Sequence, residues 1–239
     1  GLYLASPLGD YVIFRHLWGV PRAALAALIR KRIANEVVLG YSGDAYFYAW
    51  ARKHARRLGL THPFGTVKDV TILSAIAGNA FTLLMIAGTL PFAYRVMSAT
   101  QANILAGSAL IVCATSLPFL LFRRRVFTLP GRELRWVFLA HLVRLVVGTL
   151  FVAATWATAL PGVALGIWLL LAAARLLVSR LPLVPNKDLL FANFAILLIG
   201  RNDALVATIA FTAALTLAVH VAVMAWFGLG AATGRLRRA

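Results

Sequence analysis

Residues 70–92 read VTILSAIAGNAFTLLMIAGTLPF, a run without one Asp, Glu, Lys or Arg. An α-helix rises about 1.5 Å per residue and a bilayer's hydrocarbon core is about 30 Å thick, so about 20 apolar residues make one crossing. This run is long enough, and it points to a helical membrane protein. Similar stretches follow at roughly 101–122, 136–159 and 162–179, and a fifth at roughly 204–229. Between the last two lies DLLFANFAILLIG, 188–200. At about 1.5 Å per residue it reaches only about 20 Å, so it reads as a re-entrant or tilted half-helix. It is paired with the fifth span through Arg201, Asn202 and Asp203. The expected fold is all-α: about five spanning helices plus re-entrant or broken ones, in a single membrane domain over 1–239.

Composition agrees. The chain is 62% hydrophobic and 13% charged, with a mean hydropathy of +0.85. Soluble domains are about half apolar and about a quarter charged. Net charge is +17, from 24 Lys/Arg against 7 Asp/Glu. In a soluble chain that would suggest nucleic acid. Here the cations sit in short blocks between apolar spans, which excludes that partner and matches loops facing anionic lipid headgroups. Ten lie in 15–68, five in 123–135, three in 175–187 and three in 235–238. The alternate loops hold only Arg95 and Arg201, and Arg144 is inside a span. The basic loops and the C-terminus are therefore expected in the cytoplasm. Cys113 is the single cysteine, so no internal disulfide forms and no cysteine metal site is expected. The first twenty residues lack a full apolar span and show no signal peptide, and the start at Gly1 suggests an N-terminally incomplete chain.

Upstream of the first span, Leu25, Ile29, Ile33 and Val37 recur every four residues, with Arg30, Lys31, Arg32 and Glu36 off that stripe. Residues 44–58 place Phe47, Trp50, Ala51 and Leu58 on one side and most of Arg52, Lys53, Arg56 and Arg57 on the other. Two amphipathic helices over 22–58 are thus joined at GYSGD, 40–44. Asp44 is placed to cap the second helix. The glycines allow a turn or a re-entrant tip, which at membrane depth needs protein or a wet cavity around it. A helix, a polar break and another helix recur at 188–229, an arrangement common in transporters.

Chemistry-bearing residues are few. Glu36 and Asp44 are a carboxylate pair suited to acid–base work, or to an Arg32–Glu36 ion pair at i,i+4 and a helix cap. Arg144, in HLVRLVVG (141–148), must face the bundle interior or a wet cavity, snorkel to the interface, or pair with a group such as Asp69. His141 shares its face, and His220 and Arg175 count to the cytoplasmic half, suggesting an anion-attracting ring. Asn79, Asn103 and Asn193 read as glue between helices. No Ser-His-Asp order, metal-ligand spacing or nucleotide loop is present, so neither a metal nor another cofactor is expected and an enzyme is the weaker reading.

FRHLWGVPRAALAALIRKRIANEVVLGYSGDAYFY (14–48) resembles the first re-entrant region of the lysylphosphatidylglycerol synthase transmembrane, or flippase-like, family. Asn35, Gly40, Gly43 and Asp44 stand at its Asn and Gly-x-x-Gly-acid places. RLPLVPNKDLLFANFAILL (180–198) is similar to the family's second re-entrant region through Pro185 and Asp188, with Asn186 and Lys187 where that region has glycines. The resemblance implies a bacterial inner-membrane protein that moves anionic or aminoacylated phospholipids, or a lipid-linked substrate, between leaflets. No aminoacyl-transferase domain is present in these residues. The expected substrate-binding residues are Asn35, Glu36, Gly40, Gly43, Asp44, His141, Arg144, Arg175, Asp188 and His220. The expected partners are membrane lipids, with a homo-oligomer or a membrane partner left open. The alternative is a non-transporting assembly or regulatory subunit of the membrane.

Overall fold

The computed structural model describes the backbone of residues 2–60, 62–181, 184–199 and 203–236, and all regular structure among them is helical. Arg201 and Asn202 of the expected polar break, and Arg237 and Arg238 of the basic tail, lie outside the described residues. Four helical segments are long and apolar enough to cross a membrane: α5 (Pro63–Val96), α6 (Ala99–Ala114) continued by α7 (Leu117–Leu121), α9 (Gly131–Ala159) and α12 (Asp203–Leu236). The stretch expected at 162–179 is helical over α10 (Leu165–Ser179), which is apolar but only 15 residues long. Its position explains its sequence. Trp168, Leu170 to Ala174 and Leu176 are buried, so its apolar surface meets protein on several sides.

A further helix, α1 (Leu2–Trp18), precedes these, where no span was expected. It runs antiparallel to α9. Gly9 meets the stem of Arg144, while His16 bonds Glu133 at 2.8 Å and stacks on Trp136. Next comes a hairpin of α2 (Ala24–Ile33), a π turn (Ala34–Val38) and α3 (Ser42–Lys53), followed by the short α4 (Ala55–Leu58). At about 1.5 Å per residue each arm reaches about 15–18 Å, half a bilayer. The hairpin enters beside α1 and turns back at 39–41, with its tip among the helices.

On α2 the buried residues are Ala24, Ala27, Leu28, Lys31 and Ile33. The expected stripe of Leu25, Ile29 and Val37 is only half-buried. The reason is insertion: both faces of this helix meet protein, so the polar face is not the solvent face.

The second broken element is α11 (Lys187–Ile199), which packs on α10 and pairs with α12 as a hairpin. α12 returns to the same end as α2, where Phe227 lies under the Arg30 guanidinium at 4.4 Å. α8 (Arg123–Val126) carries the Arg123 to Arg125 block. The loop behind it is held to the head of α5 by Asp69, whose Oδ2 accepts from Thr128 N, Thr128 Oγ1 and Leu129 N at 2.7–2.8 Å. Asp69 is therefore not the partner of Arg144.

Two apolar cores bracket a polar layer. One joins Phe14, Leu28, Phe47, Val70, Leu73 and Val137; the other joins Ile86, Val152, Trp156, Trp168, Phe191 and Ile209. Along α5 the first core ends at Leu73 and the second begins at Ile86; along α9 the same gap runs from Val137 to Val152. Ser74, Asn79, His141 and Arg144 fall in that gap.

Candidate functional site

The gap holds a cavity of about 610 Å³, within the range of ligand pockets, about 300–1,000 Å³. It is lined by the start of α5, the end of α6, the start of α9 and the end of α10, together with the hairpin tip and the start of α11. These segments share one end of the bundle, the end bearing the basic blocks 15–68, 123–135 and 175–187.

Local chemistry builds the hairpin tip. Leu39 is extended and Tyr41 sits at φ 71, so the helix stops and reverses within three residues. Ser42 Oγ donates to the Ala34 carbonyl at 2.8 Å, closing the wide π turn. Asn35 is the crosspiece. Its Oδ1 accepts from Gly43 N at 2.7 Å and its Nδ2 donates to Asp44 Oδ2 at 2.9 Å. At Gly43 the arms touch: a Cβ there would run into the Lys31 carbonyl. Asp44 does not cap α3. Its Oδ1 accepts from Thr71 Oγ1 at 2.7 Å and lies 3.2 Å from Lys31 Nζ. The carboxylate is drawn to buried donors on neighbouring helices, which satisfy it better than its own first turn.

Lys31 connects to the centre of the network. Its Nζ donates to Asp10 Oδ2 at 2.8 Å, and Asp10 Oδ1 accepts from Arg144 at 3.1 Å. Arg144 also donates to Ser6 and Ser74, both at 3.0 Å. Asp10, Lys31, Asp44 and Arg144 form a four-member network with no net charge. Arg144 faces the cavity, held by α1, α5 and α9 together.

The second tip meets the first at the edge of the cavity. Asn186 sits at φ 50, in the left-handed region where the resembled family has glycine, and its N–H donates to the Glu36 carbonyl at 2.8 Å. Arg175 pairs with Asp188 at 2.7 Å. Lys187 Nζ donates to the Ser179 carbonyl at 2.9 Å. Arg180 donates to the Ser179 hydroxyl at 2.8 and 3.1 Å. No ion pair joins Arg32 and Glu36 among the described residues. Arg32 instead lies over the Tyr3 ring at 5.0 Å, with its Nε buried and without a hydrogen bond.

Of the expected site residues, Asn35, Glu36, Gly40, Asp44, His141, Arg144, Arg175 and Asp188 line this cavity, and Gly43 is buried directly behind it. His220 does not join them. Its Nδ1 is 3.1 Å from the Tyr3 hydroxyl, and it borders a small crevice with Glu36, Asn186 and Asp188. Counting residues gave His220 the right depth but not its direction around the helix, so the expected four-member ring does not form. Asp10, Lys31, Arg32, Arg180 and Lys187 were not expected to line the site. For Asp10 the usable signal was a lone carboxylate in an otherwise apolar N-terminal run.

The charges do not balance. Lys31, Arg32, Arg144, Arg175, Arg180 and Lys187 line the cavity with Asp10, Glu36, Asp44 and Asp188, six cations to four carboxylates. Among the described residues no three His, Cys, Asp or Glu side chains gather as metal ligands. Asn79 binds helices rather than ligand, donating to Val112, Thr115 and Ser116 of the α6–α7 stretch at 2.9–3.2 Å. Fold and site together define an all-α multi-pass membrane protein with a cation-rich internal cavity. No protein-family model, curated protein or solved structure matches the chain.

Proposed function

We propose that this chain binds an anionic or aminoacylated phospholipid, or a lipid-linked substrate, in the cavity by the anionic phosphate of its headgroup and passes it between leaflets. The observation that carries the reading is the excess of positive charge in a cavity inside a membrane domain, six cations against four carboxylates. A headgroup that moves through hydrocarbon must shed water, and unpaired charge there is costly. Fixed cations offset that cost for an anion and increase it for a cation. The resemblance of 14–48 and 180–198 to the flippase-like family supports the same reading. So does the meeting of both broken-helix tips at the cavity, since broken helices tolerate irregular backbone only beside protein or water. In this proposal the host is a bacterial inner membrane, with the basic loops and the cavity mouth on the cytoplasmic side.

The test is translocation of a labelled phosphatidylglycerol in proteoliposomes of wild type, Arg144→Leu and Asp44→Ala. The expected result is flipping by wild type above protein-free vesicles, with strong loss in both variants. Wild-type protein that leaves the lipid as static as empty vesicles refutes the proposal.

A further inference from the structure

The excess charge is not spread evenly around the cavity. Asp10, Asp44 and Asp188 are each taken by a cation: Asp10 by Lys31 and Arg144, Asp44 by Lys31, and Asp188 by Arg175. At one corner the pairing stops. Arg180 and Lys187 converge on a single residue, Ser179, through its hydroxyl and its carbonyl respectively. All seven carboxylate side chains of the sequence are described, and none is at ion-pair distance from either cation. Glu36 stays beyond ion-pair distance of both, although its carbonyl accepts from the N–H of Asn186, next to Lys187. The Arg180 guanidinium also rests directly on Gly78 of α5, where a Cβ would collide with Nη1. The backbone thus leaves a slot shaped for this side chain.

We infer that Ser179, Arg180 and Lys187, floored by Gly78, form a binding site for a phosphoryl group, carried either by a lipid headgroup or by a free phosphate ester. The inference rests on the function proposed above and says where in the cavity the substrate is held. Ser179 takes the Nε and Nη2 edge of the guanidinium, which leaves the Nη1/Nη2 end, whose N–H groups can meet two phosphate oxygens. The Lys187 ammonium, at the start of α11, supplies a point charge at the same corner. A phosphoryl group presents oxygens in several directions and meets donors from two elements together; a planar carboxylate does so poorly. The Arg144 network is internally neutral and holds the walls rather than the ligand.

The test uses the full chain in maltoside micelles, which contain no phosphate. Retention of radiolabelled phosphatidylglycerol is measured for wild type, the double variant Arg180→Gln/Lys187→Gln, Gly78→Ala and the distant control Arg95→Gln. Inorganic phosphate and oleate serve as competitors. The expected result is at least about a tenfold loss of retention in the double variant. A similar loss is expected in Gly78→Ala, which keeps both charges but displaces Arg180, with none in Arg95→Gln. Inorganic phosphate should compete and oleate should not. Wild-type retention by a folded double variant overturns the site, as does displacement by oleate equal to that by phosphatidylglycerol. If the double variant aggregates, Gly78→Ala and the wild-type competition decide. Binding of labelled phosphate without retention of the lipid supports the site and assigns it to a free phosphate ester. Lipid held at this site without flipping defeats the proposed transport and leaves the site standing. Flipping that persists unchanged in the folded double variant defeats the site alone.

Discussion

The backbone N–H of Asn186 donates to the carbonyl of Glu36 at 2.8 Å, joining two chain reversals that are far apart in sequence. Each reversal turns on a residue at positive φ, Tyr41 at 71° and Asn186 at 50°, and each leads into a helix that borders the cavity. The two tips therefore form one wall.

Asn186 is the more exposed of these linkages to mutation. The left-handed region costs a branched residue about 1–2 kcal/mol and costs glycine almost nothing. Asn186→Gly should leave the thermal midpoint of the purified protein nearly unchanged. Asn186→Val should lower it measurably and weaken retention of phosphatidylglycerol. Equal midpoints for the two variants would show that the tip does not need this backbone conformation.

Gly43 allows the closest approach of α2 and α3. A methyl group there meets the Lys31 carbonyl, which is backbone and cannot swing aside. Gly43→Ala should push the arms apart, strain the Asn35 crosspiece and cost about 1–3 kcal/mol, the usual range for overpacking. Loss of thermal stability, with greater exchange of the amides in 34–44, is the expected readout.

The Asp10–Lys31 pair gives a third expectation. Both side chains are 9% exposed and 2.8 Å apart. Removing one member of a buried pair costs about 3–5 kcal/mol, because the other charge is stranded. Replacing both by apolar residues of similar size costs much less. In a double-mutant cycle, Asp10→Leu alone should be severely destabilising and Asp10→Leu/Lys31→Met should recover much of the loss. Additive losses would mean that the two side chains are not coupled.

Hydropathy made the long helices legible, because a crossing segment must be apolar along its whole length whatever it packs against. The glycines between two amphipathic stretches marked the break at 40–44, the break at 185–188 was marked only by the resemblance, and hydropathy marked Arg144 as a charge in need of polar surroundings. It did not reveal those surroundings. Asp10 lies on α1, whose 17 residues include Pro7, Asp10 and Arg15 and so do not read as a crossing. Lys31 was hidden by periodicity. An amphipathic stripe assumes water on its polar side, whereas α2 enters the bundle and buries Lys31 on the face of Ala24, Ala27 and Leu28. Arg180 and Lys187 look like ordinary loop cations until the fold brings both to Ser179. The 162–179 stretch carries a further lesson: packing of Trp168, Leu170 to Ala174 and Leu176 against protein calls for the same apolar composition as exposure to lipid.

In the proposed function, a cavity with excess positive charge selects an anionic, phosphorylated headgroup for passage across the bilayer. The most direct measurement is the flipping rate of labelled phosphatidylglycerol against labelled glucosylceramide, which is neutral and phosphate-free, in the same wild-type proteoliposomes. One net favourable charge contact worth about 1.4 kcal/mol corresponds to a tenfold preference. Phosphatidylglycerol should cross at least about ten times faster. Equal rates for the two lipids would contradict it.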